Sequence, residues 1–365
     1  MDFVNPTPYQ AGWTLGFDRD AKEVIVVAVK ATFELRSTED SPALCVEQVP
    51  LVEADQFLGL PGMSAPLYES DYAHFKPRCD VLLNATAYAE NGRPVRRLNV
   101  AVKLGSMRKA FRVTGPRKWE DRLIGIFPST PEPFTSMPLS YEVAYGGVDL
   151  NPDDPARIRT YLENPVGRGF RPHKLGINGQ AMPVTEELDQ PIDSVTGRYK
   201  PMAFGSIGRN WQPRQALAGT YDQHWLDNVA PFWPDDFDFA YFQAAPSDQQ
   251  IVYPAGGEEL VLRNLTPGGS LKLSIPRIDM PVLFIPYVGR DQQVAAVIDT
   301  VLVEPDHARL CITWRARLRP LNDCFDIKRV VVGRSSRQWA DAMGRKGKKH
   351  YAGLSALVRE RRGRP

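Results

Sequence analysis

The sequence has no apolar run long enough to cross a membrane as a helix. Its longest apolar stretches are VIVVAV (24–29) and MPVLFIPYV (280–288), far below the roughly 18–20 residues of a membrane span. The first ten residues, MDFVNPTPYQ, have neither the basic start nor the apolar segment of a secretory signal peptide. We therefore expect a cytoplasmic protein that has no membrane segment.

Cysteine is scarce, and the motifs of common enzyme classes are missing. The four cysteines have no C-x-x-C spacing, which fits a reduced, cytoplasmic protein, and they have no local catalytic signature. GRGF (167–170) lacks the G-x-G-x-x-G spacing, and GRKGKK (344–349) lacks the P-loop spacing and its Ser or Thr. G-x-S-x-G is absent, and the S-x-x-K match at 106–109 has no companion motifs. We therefore expect a protein that is not an enzyme and needs no cofactor.

Proline and glycine are abundant instead, with 32 and 28 residues spread along the chain without a repeat. This distribution argues against long helices and for short strands joined by shaped loops. Alternating or continuous apolar patterns indicate the strands, with hairpin turns at Asn91-Gly92 and at 267–269. The predicted strands are 21–36, 79–89, 96–105, 109–119, 238–245, 258–265, 270–276, 294–305 and 309–320.

These elements predict a mostly β fold, an antiparallel sandwich or barrel-like architecture with a long ordered loop layer and a short helical, basic C-terminal tail. The loop layer has twelve prolines between Pro128 and Pro213, and its many aromatic residues argue against disorder. Residues 1–332 are expected to form one unit, followed by the tail. The predicted regions are an N-terminal β region (1–127), the loop layer (128–215), a C-terminal β region (216–332) and the tail (333–365).

Charge is concentrated in the tail, although the whole chain has a net charge of only +2. Residues 333–365 contain ten Lys or Arg against Asp341 and Glu360, a net of +8, which leaves −6 for the rest of the chain. Such a tail could bind nucleic acid or an acidic protein, or it could be a solvated helix. Nucleic acid is not an expected partner because no base-reading motif is present.

Two Asp–His pairs keep a metal-dependent hydrolase open as an alternative function. Asp71 precedes His74, and Asp222 precedes His224. A metal site needs three or four convergent ligands, so the two pairs would have to meet in space. The plainer interpretation is that Asp71 and Asp222 cap turns. Carboxylates at 235–238 and 258–259 could do acid–base work, but such runs are usually solvated faces or loop caps.

Aromatic residues interleaved with Asp are the most distinctive feature, in GTYDQHWLDN (219–228) and PFWPDDFDFAYFQAAPSDQ (231–249). Trp and Tyr combine a large apolar area with a polar group, so they suit both cores and interfaces. We therefore expect core packing for many of them and partner binding for part of the set.

Several short motifs occur in one order along the chain. They are NPTPY (5–9), VKATFEL (29–35), SDYAHFKPRCDVLL (70–83), PLSYEVAYGGVD (138–149), NPVGRGF (164–170), GTYDQHW (219–225), DFDFAYFQAAPSDQ (236–249) and GGEELVLRNLTPGG (256–269). In this order and spacing the chain, over about residues 3–318, resembles DUF2169, a family of unknown function. It departs from the family where GINGQAMP has Gln180 in place of the usual Glu, and the basic tail lies outside the resemblance.

The resemblance implies a non-enzymatic chaperone or adaptor of bacterial type VI secretion. Such proteins bind a cognate effector, often one with a PAAR spike-tip domain, keep it soluble and help to load it onto the VgrG spike. The expected partners are therefore the effector and a PAAR or VgrG spike component. The candidate partner-binding or family-motif residues are Asp71, Lys76, Tyr145, Gly146, Asn164, Gly167, Trp211, Tyr221, Asp222, Trp225, Trp233, Phe237, Asp248 and Gln249.

Overall fold

The computed structural model describes residues 1–37, 41–149, 158–172 and 176–334, and strands dominate these ranges. Before residue 130 the strands are β1 (Asp2–Val4), β2 (Gln10–Phe17), β3 (Glu23–Glu34), β4 (Gln56–Phe57), β5 (Pro66–Tyr68), β6 (Cys79–Leu83), β7 (Ala85–Tyr88), β8 (Arg97–Leu104), β9 (Met107–Thr114), β10 (Trp119–Arg122) and β11 (Gly125–Pro128). The loop layer contains β12 (Ser136–Leu139), β13 (Tyr145–Gly146), β14 (Val148–Asp149), β15 (Arg159–Thr160), β16 (Arg168–Gly169) and β17 (Thr185–Glu186). Helix α1 (Gln223–Asn228) precedes β18 (Gln250–Ile251), β19 (Glu259–Arg263), β20 (Ser270–Ser274), β21 (Pro281–Pro286), β22 (Gln292–Ala295), β23 (Val297–Glu304), β24 (Arg309–Leu318) and β25 (Ile327–Val332).

Three sheets form the body of the protein. The largest has six strands in the order β18-β6-β23-β24-β3-β2, the second is β17-β9-β8-β19-β20, and the third is β1-β25-β21-β22. Most neighbours are antiparallel, but β23 pairs with β6 and β25 with β1 in parallel. The two β regions of the sequence contribute strands to the same sheets, and no sheet in the described ranges closes into a barrel.

One apolar core lies between the sheets. Successive side chains of a strand point to opposite faces, so β3 sends Ile25, Val27 and Val29 into the core, and β24 adds Ile312 and Trp314. The other two sheets close this core with side chains that include Val100, Phe111, Leu260, Val282 and Val330. The predicted sandwich therefore has a continuous core shared by all three sheets.

The opposite face of the six-stranded sheet is polar, although it is also buried. The covering loops contribute Asp71 and Lys76, which bond to side chains on the sheet. Together with the strand residues they form a set that we call the buried ionic layer: Lys30, Asp71, Lys76, Asp80, Asp299 and Arg315. The sheet is thus apolar on one face and ionic on the other.

The local predictions are confirmed where alternation was clear. Strands β3, β8, β9, β19, β20, β23 and β24 lie within or close to the predicted ranges, and 267–269 joins β19 to β20 as a hairpin. The predicted strand 79–89 is split into β6 and β7. Asn91 and Gly92 both have positive φ as expected, but the hairpin there is wrong because β7 pairs with β12.

The predicted strand 238–245 is also wrong. Phe239–Phe242 forms a 3-10 turn whose first turn is capped by the Asp238 carboxylate, which accepts the Ala240 N–H at 2.8 Å. Helical structure is not confined to the predicted tail, because α1 lies at Gln223–Asn228. The tail from residue 335 lies outside the described ranges. No helix of the described ranges is long and apolar enough to span a membrane.

Candidate functional site

Lys76 and Asp80 form a buried ion pair where the covering loop meets β6, with 2.8 Å between Nζ and Oδ2. The Asp80 carboxylate also accepts hydrogen bonds from the Gln243 side chain and from the backbone N–H groups of Ala244 and Ala245. Burial opposes the charge on Lys76, but Asp80 and Asp299 together outweigh it and raise the Lys76 pKa above its ordinary value. This pair fastens the FQAA segment to the sheet, and neither side chain is accessible to a partner.

Asp71 joins another part of the same layer to the sheet. Its Oδ2 lies 2.9 Å from Lys30 Nζ and accepts the Val52 N–H at 2.8 Å. Arg315 Nη1 donates to the Asp71 carbonyl at 2.7 Å. The cavity beside these groups has a volume of about 30 Å³, which is enough for one or two water molecules and not for a substrate.

The YGG and NPVGRGF motifs pack directly against each other. Asn164 is fully buried, and its Nδ2 donates to the carbonyls of Tyr141 and Tyr145 at 2.8 and 3.0 Å. A Cβ on Gly146, which has φ +148°, would lie 2.2 Å from the Asn164 carbonyl oxygen, and one on Gly167 would lie 2.3 Å from Asn164 Nδ2. The glycines are therefore required by close approach, which supports a shaping role for this loop.

Tyr145 and Trp211 are also buried within the loop layer. The Tyr145 hydroxyl donates to the Gly197 carbonyl at 2.6 Å, and burial raises the Tyr145 pKa. Its ring centroid lies 5.1 Å from that of Tyr161. Trp211 packs edge to face on Tyr141 at 5.4 Å. These aromatics form the interior of the layer, which fits the ordered loop layer predicted from its aromatic content.

Lys109, Asp248 and Gln249 connect the two larger sheets. Lys109 Nζ, from β9, lies 3.1 Å from Asp248 and 2.7 Å from Gln249 Oε1. The Gln249 amide then donates to the carbonyls of Val81, on β6, and Phe204. Burial lowers the Lys109 pKa to about 8, although Asp248 opposes the shift. The SDQ motif therefore holds the sheets in register with each other.

Trp233 and Phe237 belong to an aromatic cluster over the ionic face. Their rings stack with centroids 4.3 Å apart, and Phe242 meets Phe237 at 5.9 Å. Trp233 Nε1 also donates to the Phe17 carbonyl at the end of β2, at 3.0 Å. Phe237 is buried and Trp233 is partly buried, so this cluster mainly anchors the loop.

The proposed convergence of two Asp–His pairs on a metal is wrong. Asp71 is engaged by Lys30, and the His74 ring packs against Trp233 and Phe242 at 5.4 and 5.3 Å. Burial lowers the His74 pKa. No cluster of three or more His, Cys, Asp or Glu that could hold a metal occurs in the described ranges.

The remaining acidic residues of that hypothesis have local roles. Asp222 caps α1, since its carboxylate accepts the Trp225 N–H at 2.9 Å, and His224 contacts Asn228 within the same helix. Asp236 similarly accepts the Thr220 N–H at 2.8 Å. The interpretation as a cap is confirmed for Asp222, and Asp236 is a loop cap as well. It is wrong for Asp71, whose carboxylate pairs with Lys30 and accepts the distant Val52 N–H.

The exposed part of the motif set lies in residues 219–234, which we call the exposed aromatic segment. Tyr221 is 53% and Leu226 59% exposed. Tyr221 and Trp225 pack with ring centroids 4.8 Å apart, and Trp225 Nε1 donates to the Phe232 carbonyl at 2.9 Å. Phe232 in turn contacts Phe17 edge to face at 5.2 Å. The segment therefore presents apolar side chains at the surface from a tightly bonded turn and helix.

Sequence reasoning missed several members of the ionic layer. Asp80 and Arg315 sit within apolar strands, CDVLL and CITWRARL, and a charge at an alternate strand position is the signal that could have found them. Arg315 pairs with Asp299 across the sheet. Gln243 carried no such signal, because its partner Asp80 is far away in sequence.

Fold and site together define a mostly β protein whose ordered loops are fastened to a sheet by buried ion pairs and expose aromatic side chains at one surface. The model of a family described as an uncharacterized protein conserved in bacteria, DUF2169, matches residues 20–315, and the chain belongs to this family. No curated protein and no solved structure matches the chain at a significant level.

Proposed function

We propose that this protein is a non-enzymatic chaperone and adaptor of bacterial type VI secretion, acting in the cytoplasm. It binds a cognate effector, in some cases one linked to a PAAR domain, and assists its loading onto the VgrG spike. The assignment to type VI secretion rests on the ordered motifs through which the chain resembles DUF2169. The observation that carries the binding role is the exposed aromatic segment, with Tyr221 and Leu226 more than half exposed on a well-anchored turn and helix.

The anchoring matters because association costs conformational entropy. Asp222 fixes the start of α1, and the Trp225–Phe232 hydrogen bond fixes its end against the following loop. Side chains that are already ordered lose little freedom on binding, so more of the apolar burial, roughly 25 cal/mol per Å², appears as affinity. The segment therefore suits a partner that contributes an apolar surface of its own.

The mechanism follows from that preference. An apolar segment of the effector that would otherwise aggregate packs on Tyr221 and Leu226, and the protein keeps it covered until the spike is assembled. No covalent step is required. The buried motif residues act indirectly. Asp80, paired with Lys76, fastens the backbone after the exposed aromatic segment, at Ala244 and Ala245. Asn164 shapes a different loop, around Tyr141 and Tyr145.

Co-expression tests the function. The effector encoded beside this chain is produced with and without it, and its soluble fraction and delivery to a target cell are measured. We expect the effector to be mostly insoluble and undelivered when the chaperone is missing. Equal solubility and delivery in both strains would overturn the proposal.

A pair of surface variants tests the location. Leu226→Asp should weaken effector binding roughly tenfold or more, because it places a charge in an apolar contact. Leu123→Asp is the matched control, since Leu123 is an exposed leucine as well but lies in the turn between β10 and β11. Equal affinities for the two variants would exclude the exposed aromatic segment as the binding surface.

The basic tail stays a separate prediction. Residues 335–365 lie outside the described ranges, so its role as a nucleic-acid or acidic-partner binder depends on sequence alone. Deleting 333–365 and measuring partner binding at low salt tests it, because ionic contacts weaken as salt increases. Unchanged binding would remove this role.

A further inference from the structure

Strand β2 is an unusually long and unprotected edge. It ends the six-stranded sheet and has eight residues, whereas the other edge strands of the three main sheets, β18, β17, β20, β1 and β22, have two to five. Its register with β3 runs from Gln10 to Phe17 without a bulge. Proteins usually protect edge strands with charges, prolines, bulges or short length, because a free edge pairs with other strands.

None of these protections is present in β2. Its sequence, QAGWTLGF, contains no charged residue and no proline. The longest of the other edge strands, β20, carries an exposed lysine at Lys272. A free, neutral and regular edge of this length is what strand addition by a partner requires.

The hydrogen-bonding groups of β2 alternate between β3 and the outside. Thr32 of β3 turns its N–H to Gln48 and its carbonyl to Cys45, on the side of β3 away from β24. The backbone N–H and C=O groups of even-numbered residues of β3 therefore point toward β2. By the antiparallel register they bond to the backbone groups of even-numbered residues of β2. The odd-numbered residues of β2 then turn their groups outward, as the Trp233 bond to the Phe17 carbonyl confirms.

Three outward N–H groups are consequently available. In the part of the chain that the structure describes, no hydrogen bond uses the N–H of Ala11, Trp13 or Leu15. Trp13 and Leu15 are 38% and 41% exposed on one face of the edge. The edge thus offers backbone donors together with two apolar side chains.

The other face of β2 is closed. A Cβ on Gly12 would lie 2.2 Å from the Tyr72 hydroxyl, and one on Gly16 would lie 2.9 Å from the His74 ring. Covering loops therefore press against β2 on this side and hold it in place. An added strand would therefore pair with an ordered edge strand that has one exposed apolar face.

We propose that the β2 edge accepts an extended segment of the effector as a seventh strand of this sheet. The inference rests on the proposed function, because the effector supplies the occupant. The segment would be neutral or weakly charged, with apolar side chains at alternate positions that lie beside Trp13 and Leu15. Backbone hydrogen bonds would give affinity, and contacts with Trp13 and Leu15 would determine which effector sequences bind.

Two observations favour the effector over a second copy of this chain. The end of β2 is continuous with the exposed aromatic segment through the Phe17–Phe232 contact, so one partner can occupy both. The edge alone is small: eight residues span about 27 Å, and a strip one sheet thick, about 10 Å, is on the order of 300 Å² per partner. Stable interfaces bury roughly 800 Å² per partner, so pairing of two edges would not hold a dimer.

Amide hydrogen exchange of the full chain, alone and with the effector encoded beside it, tests the proposal. We expect the outward amides of Ala11, Trp13 and Leu15 to become protected in the complex. If the complex forms and these amides exchange as before, the edge inference is wrong and the chaperone function stands. If no complex forms, both fail. Concentration-dependent protection without effector would identify a second copy as the occupant and overturn the assignment.

A matched pair of variants separates backbone pairing from side-chain contact. Leu15→Pro removes an outward N–H that β3 does not use, a change that edge strands tolerate. Leu15→Ala removes the apolar side chain and keeps the N–H. We expect Leu15→Pro to weaken effector binding at least about tenfold, and more than Leu15→Ala does. Equal losses, with unfolding midpoints unchanged, would contradict strand addition.

Discussion

The two faces of the six-stranded sheet are both buried, yet they pack against different kinds of side chain. On one face, Ile25 and Ile312 meet a continuous apolar core. On the other face, Lys30 and Arg315 meet charged and polar groups of the covering loops. Apolar packing is non-directional, whereas ion pairs and hydrogen bonds fix angles and partners. The comparison indicates that the apolar face holds the sheets together and the ionic face sets where the loops lie.

The largest expected effect comes from removing an acid of the ionic face. Asp80→Ala leaves the Lys76 ammonium buried, with the Thr300 hydroxyl as its other side-chain partner in the described ranges. We expect a loss of about 3–5 kcal/mol in the free energy of unfolding, because an uncompensated buried charge is costly. Denaturant unfolding of wild type and variant measures it. A loss below about 1 kcal/mol would mean that the ionic face does not hold the loops.

Replacing Lys76, the base of the same pair, should lower the free energy of unfolding less than replacing Asp80 does. Lys76→Met leaves the Asp80 carboxylate with three N–H donors, from Gln243, Ala244 and Ala245. We expect a loss of roughly half that of Asp80→Ala, since hydrogen bonds still compensate the buried charge. The same unfolding experiment checks the order of the two variants. A larger loss for Lys76→Met would reverse the proposed asymmetry.

The apolar face should respond weakly to a small change. Ile312→Val removes one methylene from a fully buried side chain, which typically costs about 0.5–1.5 kcal/mol. The loop positions should stay unchanged, because the core does not set them. Unfolding gives the energy, and amide exchange of residues 239–249 reports on the loops. Loss of protection there would show that the apolar face also positions the loops.

The smallest expected effect is on the slope of the free energy of unfolding against pH. Burial opposes ionisation of Glu186, but Arg117 and the Ile192 N–H outweigh it and hold the Glu186 pKa below its ordinary value. The folded pKa is below the unfolded one, so this stabilisation is present above about pH 4.5 and is lost as pH falls through the folded pKa. We expect Glu186→Gln to flatten the decline of stability below pH 4.5. Parallel pH profiles would contradict it.

The sequence allowed prediction of what depends on neighbouring residues. Alternation indicated the strands 96–105 and 109–119, which the structure pairs as β8 and β9, and glycine after Pro267 indicated the turn between β19 and β20. DFAYFQAA resembled a strand, but its backbone N–H groups bond to carboxylates instead of to a neighbouring strand. Asp238 accepts the N–H of Ala240 and so caps a turn, and Asp80 accepts the N–H groups of Ala244 and Ala245. That competition depends on partners far apart in sequence, and local patterns do not contain it.

The same reason limits prediction of the site. The motif residues were found, but the buried position of Asn164 follows from its close approach to Gly146 and Gly167. Tyr221 and Trp233 looked alike in sequence, and only the fold separates the exposed ring from the one that anchors a loop. Edge strand β2 was not predicted, because glycines interrupt its apolar pattern.

The position of β3 between β2 and β24 has a consequence for biosynthesis. Glu34 and its partner Arg309 lie 275 positions apart in the chain, so at roughly 5–20 residues per second β3 waits on the order of 14–55 s for its second neighbour. During that time its apolar run VIVVAV has one open side on the ribosome. A protein that we propose to shield another chain from aggregation is therefore itself exposed to aggregation during synthesis, because β3 can be paired on both sides only after β24 has been made.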